Sequence, residues 1–148
     1  EGAEVKEILD ELTTMVNKVD TSFIVDQLEY LHKGGRCSSV AALGANLLKL
    51  KPCIEVVDGK MHVGKKYRGN FGKCVDQYIH ERLANPDEFD TTRVFLTSAG
   101  VTQSTLDTAC HAIRECIGED AEIITSTAGC TISCHCGPGT LGIIMVRK

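Results

Sequence analysis

One ten-residue stretch concentrates the side chains best suited to chemistry. Cys130-Thr131-Ile132-Ser133-Cys134-His135-Cys136-Gly137-Pro138-Gly139 carries three thiols and an imidazole. By type these are zinc ligands, but the spacing is poor for a tetrahedral site. Close ligands of a zinc knuckle are separated by about two to four residues and joined by a second such pair. Read as a strand over 131–135, the segment turns successive side chains to opposite faces, so His135 points away from Cys134 and Cys136. A Cys/His nucleophile pair is the other chemistry, and adjacency in sequence does not supply its geometry. The segment therefore reads first as buried cysteines in a strand before a Gly-Pro-Gly turn. A metal-binding or redox module built on Cys130, Cys134, His135 and Cys136 is the alternative.

A second feature is Gly34-Gly35-Arg36, which sets a cation between a flexible turn and a helix start near Ser38. A helix N-terminus beside an Arg can hold an anion. A plain C-cap followed by an N-cap explains the same residues. Gly137-Pro138-Gly139 precedes a strand and is no P-loop. Eight cysteines could form four disulfides in a small secreted domain. Several lie on apolar helix faces or in strand-like runs, as buried thiols do. A reduced, cytoplasmic protein without disulfide or zinc is expected. His80 and His111 fall off the core faces of their helices and are expected in solvent.

Charge and hydropathy narrow the class. The net charge is −4 with no basic run, which excludes a phosphate-tracking nucleic-acid surface. No apolar stretch approaches the roughly 20 residues that cross a bilayer. The length of 148 residues suits one domain with a full core. The first residue is Glu1, so the chain reads as a fragment.

These residues must be positioned by alternating helices and strands. Val5, Ile8, Leu9, Leu12, Val16 and Val19 recur at helical spacing. A strand is predicted over 21–25, then a helical turn over 28–32 ended by Gly34-Gly35. A helix from Ser38 to Leu48 is stopped by Pro52. It is rich in small residues around Gly44, as suits close approach by a sheet or a long apolar ligand. Asp58-Gly59 between 53–57 and 60–63 is a type I′ hairpin signal. A helix carrying Cys74, Val75, Tyr78 and Ile79 follows, then a strand over 93–97. The next helix has Leu106, Ala109, Cys110, Ile113, Cys116 and Ile117 on one face. Strands over 122–126, 131–135 and 141–146 close the chain. The expected fold class is α/β: a two-layer sandwich with a mixed sheet of about six strands and helices mainly on one face.

Several of these segments resemble the motifs of one family. Residues 28–36, Leu-Glu-Tyr-Leu-His-Lys-Gly-Gly-Arg, are similar to the "LEYLxKGGR" signature of DegV proteins. Lys51-Pro52-Cys53-Ile54 with the Asp58-Gly59 hairpin resembles its "LLxIKPIL…DGxI" stretch, and Lys66-Tyr67-Arg68-Gly69 its "VRG" element. His135-Cys136-Gly137-Pro138-Gly139-Thr140-Leu141-Gly142 resembles the closing "HTGPGALG". The resemblance spans the chain in the family's order. It implies the C-terminal, acyl-chain-holding domain of a bacterial fatty-acid-binding protein, with no catalysis and no cofactor of its own.

The resemblance also implies roles. The family's N-terminal domain, expected to be absent from residues 1–148, supplies hydroxyls for the fatty-acid carboxylate. His135 matches the carboxylate-proximal His, Arg36 the Arg beside the domain junction, and Arg68 a basic position that docks a kinase partner. That fatty acid kinase phosphorylates the presented fatty acid for phospholipid synthesis, with transient membrane contact as a further expectation. Leu43, Leu47 and Ile54 are the expected tunnel wall. Cys136 stands where Thr is usual, and Cys130 and Cys134 are additions to the pattern.

Overall fold

The computed structural model describes residues 2–35 and 50–148. Arg36, Leu43 and Leu47, and the predicted helix from Ser38 to Leu48, lie outside the described residues. The described elements run α1 (Val5–Val16), β1 (Val19–Val25), α2 (Glu29–Lys33), β2 (Leu50–Val57), β3 (Lys60–Arg68), α3 (Phe71–Arg82), a 3₁₀ turn (Pro86–Glu88), β4 (Phe89–Ala99), α4 (Gln103–Ile117), β5 (Glu122–Thr127), α5 (Cys130–Cys136) and β6 (Thr140–Arg147).

The strands form one mixed sheet in the order β3-β2-β1-β6-β4-β5. All pairs are antiparallel except β4 with β5, which the crossover helix α4 makes parallel. The expected mixed sheet of six strands is present. At the hairpin, Asp58 and Gly59 both take positive φ, 50° and 70°, as a type I′ turn requires. Pro52 lies within β2 and has no N–H to give the ladder, and the β2–β3 register shifts between Pro52 and Ile54.

Side-chain alternation divides the sheet into two faces. Ile24, Cys53, Tyr67, Val94, Leu96, Leu141, Ile143 and Met145 turn to one side. There they pack on Cys74, Val75, Tyr78 and Ile79 of α3 and on Ala109, Ala112 and Ile113 of α4. Tyr78 is fully buried on this side, and its hydroxyl pairs with Ser22 Oγ at 2.8 Å. The core helices α3 and α4 therefore share one face, as predicted, whereas α1 buries none of its residues. The other face carries a smaller cluster in which Val25, Leu28, Leu31, Ile54 and Cys136 meet. Among the described residues only the short helices α2 and α5 contribute to it.

The strand expected over 131–135 is instead the helix α5. Thr131 and Ile132 favour extended backbone by propensity, yet tertiary partners decide otherwise. Gly137 ends the helix at φ 79°, and Thr140 Oγ1 donates to the carbonyls of Cys136 and Gly137 at 3.1 and 3.0 Å. Those carbonyls are the ones a helix end leaves without partners. The expected alternation of Cys134, His135 and Cys136 across a strand is corrected with it.

At the rim of the α3/α4 face, Asp20 sits between two arginines. Arg82 and Arg147 both pair with its carboxylate, and Arg147 also reaches Glu88 at 3.0 Å. The Asp20 side chain is only 10% exposed, so this cluster ties β1, α3 and β6 together in a partly desolvated setting.

Candidate ligand-binding site

The sheet face opposite α3 and α4 holds a cavity of about 410 Å³. Its floor is the inward set of the central strands, including Phe23, Val56 and Ile144, and Met61 extends it onto β3. Period-two alternation places Phe23 and Ile144 there, since Ile24, Ile143 and Met145 beside them belong to the helix-packed core. One wall is α5, where Ile132 and Cys136 stand one turn apart. The lining is largely apolar, and it includes the hydroxyl-bearing residues Thr21, Ser22, Thr97, Ser98, Thr127 and Thr140. Gly142 lets β6 pack closely against Phe23 in the floor, because a Cβ there would lie 3.1 Å from Phe23 Cβ.

Beside the cavity, three distant segments converge through glycines. A Cβ on Gly34 would meet His135 Nδ1 at 2.7 Å, so the end of α2 touches the imidazole directly. A Cβ on Gly137 would overlap the Tyr30 ring, and one on Gly139 would meet Asp26 Cβ at 2.6 Å. Asp26 N–H donates to the Gly139 carbonyl at 2.8 Å. Lys51 closes the junction by pairing with the Asp26 carboxylate at 2.6 Å and donating to its backbone carbonyl at 3.0 Å. Residues 26–35, 51 and 135–139 thus form one packed junction.

His135 lies on α5, partly buried, one residue from Cys136 of the cavity wall. Among the described residues its imidazole has no hydrogen-bond partner. Ile54 is fully buried in the cluster with Val25 and Leu31, and Val56 and Met61 take the lining positions near it. Arg68 is exposed at the end of β3, in a polar surface hollow shared with Lys65, Lys66 and Glu81 and distinct from the cavity. Asp26, Tyr30 and Lys51 were not singled out from sequence. Their only signal was membership of the motif stretches 28–36 and 51–54 or proximity to them.

The metal or redox alternative does not assemble. In α5, Cys130 and Cys134 share an exposed face, whereas Cys136 turns into the second cluster, where burial raises its thiol pKa. Among the described residues no metal-ligating group gathers around them. Cys53 is more deeply committed to packing: burial pushes its thiol up to about 12.

Fold and cavity together define an α/β domain with a largely apolar cavity on the open face of a mixed sheet, beside a glycine-rich junction. The family model described as DegV, an uncharacterised-protein family, matches residues 1–148, and the chain belongs to the DegV family. A fatty acid-binding protein of Thermotoga maritima is 30% identical, with 99% of this chain and 52% of that protein covered. A DegV family protein from Thermus thermophilus, solved in a study of its fatty acid binding, is 25% identical. It superposes with a TM-score of 0.80 over 99% of this chain and 52% of its own. The Fatty Acid Kinase (Fak) B3 protein of Streptococcus pneumoniae, loaded with linoleic acid, shares the fold at a TM-score of 0.83 and 19% identity. That match covers 99% of this chain and 51% of the other. The chain spans about half the length of the curated relatives it matches. No described helix is long and apolar enough to cross a membrane.

Proposed function

We propose that this chain is the acyl-holding domain of a fatty-acid-binding protein, carries no catalysis of its own, and presents the fatty-acid carboxylate to a kinase partner. The observation that carries this reading is the apolar cavity on the open sheet face, whose wall residue Cys136 adjoins His135 and its glycine junction. A volume of about 410 Å³ falls within the range of roughly 300–1,000 Å³ typical of small-molecule sites. Burying about fourteen methylenes of a long acyl chain supplies on the order of 11 kcal/mol before association costs. His135 is the group proposed to hydrogen-bond the carboxylate, with Arg36 proposed as a second polar group and head-group hydroxyls supplied by a second, N-terminal domain. Leu43, Leu47 and Ile54 remain proposed contributors to the tail environment. Arg68 is proposed as the docking position for the kinase, because it is exposed and remote from the cavity. Bacterial relatives with printed fatty-acid-binding descriptions support the ligand class.

Lipid extracted from the purified protein and identified by mass spectrometry tests the ligand, and a long-chain fatty acid near one per chain is expected. Loss of His135 should then separate two readouts. One charge-assisted hydrogen bond contributes only about 1.5–3 kcal/mol, well below the tail's share, so His135→Ala should retain lipid while acyl phosphorylation falls. Absence of co-purified or added fatty acid, or equal loss of both readouts, would sink the assignment.

A further inference from the structure

One hydroxyl on the open sheet face stands among aliphatic side chains without a partner. The strand registers align Met61, Val56, Thr21, Ile144, Phe95 and Ile124 in one row across all six strands, on the face opposite α3 and α4. Thr21 is the polar member of that row and sits on a central strand. Its neighbours in register, Val56 and Ile144, have side chains with neither donor nor acceptor. Among the described residues the Thr21 hydroxyl makes no hydrogen bond.

The other hydroxyls around the cavity are otherwise placed. Ser22 pairs with Tyr78 on the helix-packed side, and Thr140 donates to the carbonyls of Cys136 and Gly137. Thr97 pairs with Ser126 at 2.8 Å. Ser98 alternates with Thr97 and turns with Leu96 toward the helices, and Thr127 is exposed at the end of β5.

Thr21 also lies where two hollows meet. It lines the apolar cavity, and with Val56 it lines a second hollow that mixes Val16 and Val19 with Asn17 and Asp58. In register Thr21 faces Ile144, four residues along β6 from Thr140, which is about 13 Å at the strand rise. An acyl chain that starts beside Thr140 and α5 runs over Phe23 and Gly142 and reaches Thr21 near the middle of its length. There the lining passes from aliphatic to polar. A saturated chain crossing Thr21 strips water from the hydroxyl without supplying a partner, which is unfavourable. A hydroxyl on the chain at that depth restores the bond, and either oxygen can donate. A site that bonds a ligand hydroxyl discriminates against the analogue lacking it, because its own polar group is then left unpaired. Resting on the fatty-acid reading above, we propose that the cavity selects a long-chain fatty acid hydroxylated near mid-chain, and that Thr21 is the residue that recognises the hydroxyl.

The test is calorimetric titration of the lipid-stripped protein with octadecanoic acid and with the same acid hydroxylated at its tenth carbon. The hydroxylated acid is expected to bind about three- to tenfold more tightly. Thr21→Val replaces the hydroxyl with a methyl of the same branching, on a strand that favours Val. It should abolish the preference and tighten binding of octadecanoic acid, whereas Thr21→Ser should keep the preference. Both variants should retain the parent's circular dichroism. Binding of neither acid would overturn this inference together with the fatty-acid reading. Binding of both with equal affinity, or a preference that survives Thr21→Val, would overturn this inference alone and leave Thr21 as a strand former.

Discussion

Gly137 is where the backbone and the packing of the candidate site can be tested against each other. Its φ of 79° and ψ of 172° fall in a region open essentially to glycine alone. A Cβ placed there would also sit 2.6 Å from Tyr30 Cγ, and closer still to Cδ2. Gly137→Ala therefore incurs two independent costs. The backbone term is about 1–3 kcal/mol, and overpacking against the ring adds about 1–3 kcal/mol. The expected loss is about 4 kcal/mol, or a fall in Tm of roughly 8–16 °C for a chain of this size. A double-mutant cycle in urea separates the terms. Tyr30 is 37% exposed, so Tyr30→Ala alone should cost little, and it removes the ring atoms that the new methyl would strike. In that background Gly137→Ala should cost only the backbone term, giving a coupling of about 1–3 kcal/mol. If Gly137→Ala costs the same with and without the Tyr30 ring, within about 0.5 kcal/mol, the close approach of α2 to the 137–139 turn is wrong. The proposed setting of His135 would fall with it.

Two further outcomes follow from buried polar groups. Asp20→Ala leaves Arg82, whose side chain is 19% exposed, and Arg147 without their shared carboxylate. The loss should be about 2–3 kcal/mol in urea unfolding, below the figure for a fully buried pair because water still reaches Arg147; a loss under about 0.5 kcal/mol would mean the cluster is merely superficial. The Cys53 thiol is held in its protonated form by burial, with its value raised from near 9 to about 12. Its contribution is fully present below pH 9, where folded and unfolded chains both keep the proton, and is lost as pH rises toward 12. Between those limits the loss is about 1.4 kcal/mol per pH unit. Burial raises Tyr67 and Tyr78 as well, so the informative quantity is a difference. Cys53→Ala should flatten the alkaline decline by about one proton, and identical pH slopes for parent and variant would contradict the burial of this thiol.

How far the sequence could be read depended on the range of the interactions involved. The Asp58-Gly59 hairpin was legible because a type I′ turn is decided by two residues' tolerance of positive φ. The core faces of α3 and α4 were legible because a 3.6-residue period needs only local spacing. The DegV motifs were legible as patterns, but their reason for existing was not. Gly34, Gly137 and Gly139 matter because His135, Tyr30 and Asp26 come within van der Waals distance of them, across about a hundred residues of chain. The same remoteness misled the reading of 131–135. Seven residues with β-branched members look extended by themselves, and they become a helix whose terminal carbonyls Thr140 takes and whose His135–Gly137 end packs on α2. The Lys51–Asp26 pair was likewise invisible, since ion pairing depends on which elements the sheet order brings together. The sequence by itself determined most element types, the family and the faces that α3 and α4 bury, because those rest on short-range stereochemistry and periodic burial. Only the tertiary structure decided where the cavity lies and which polar groups meet, because those depend on contacts between residues the chain keeps far apart.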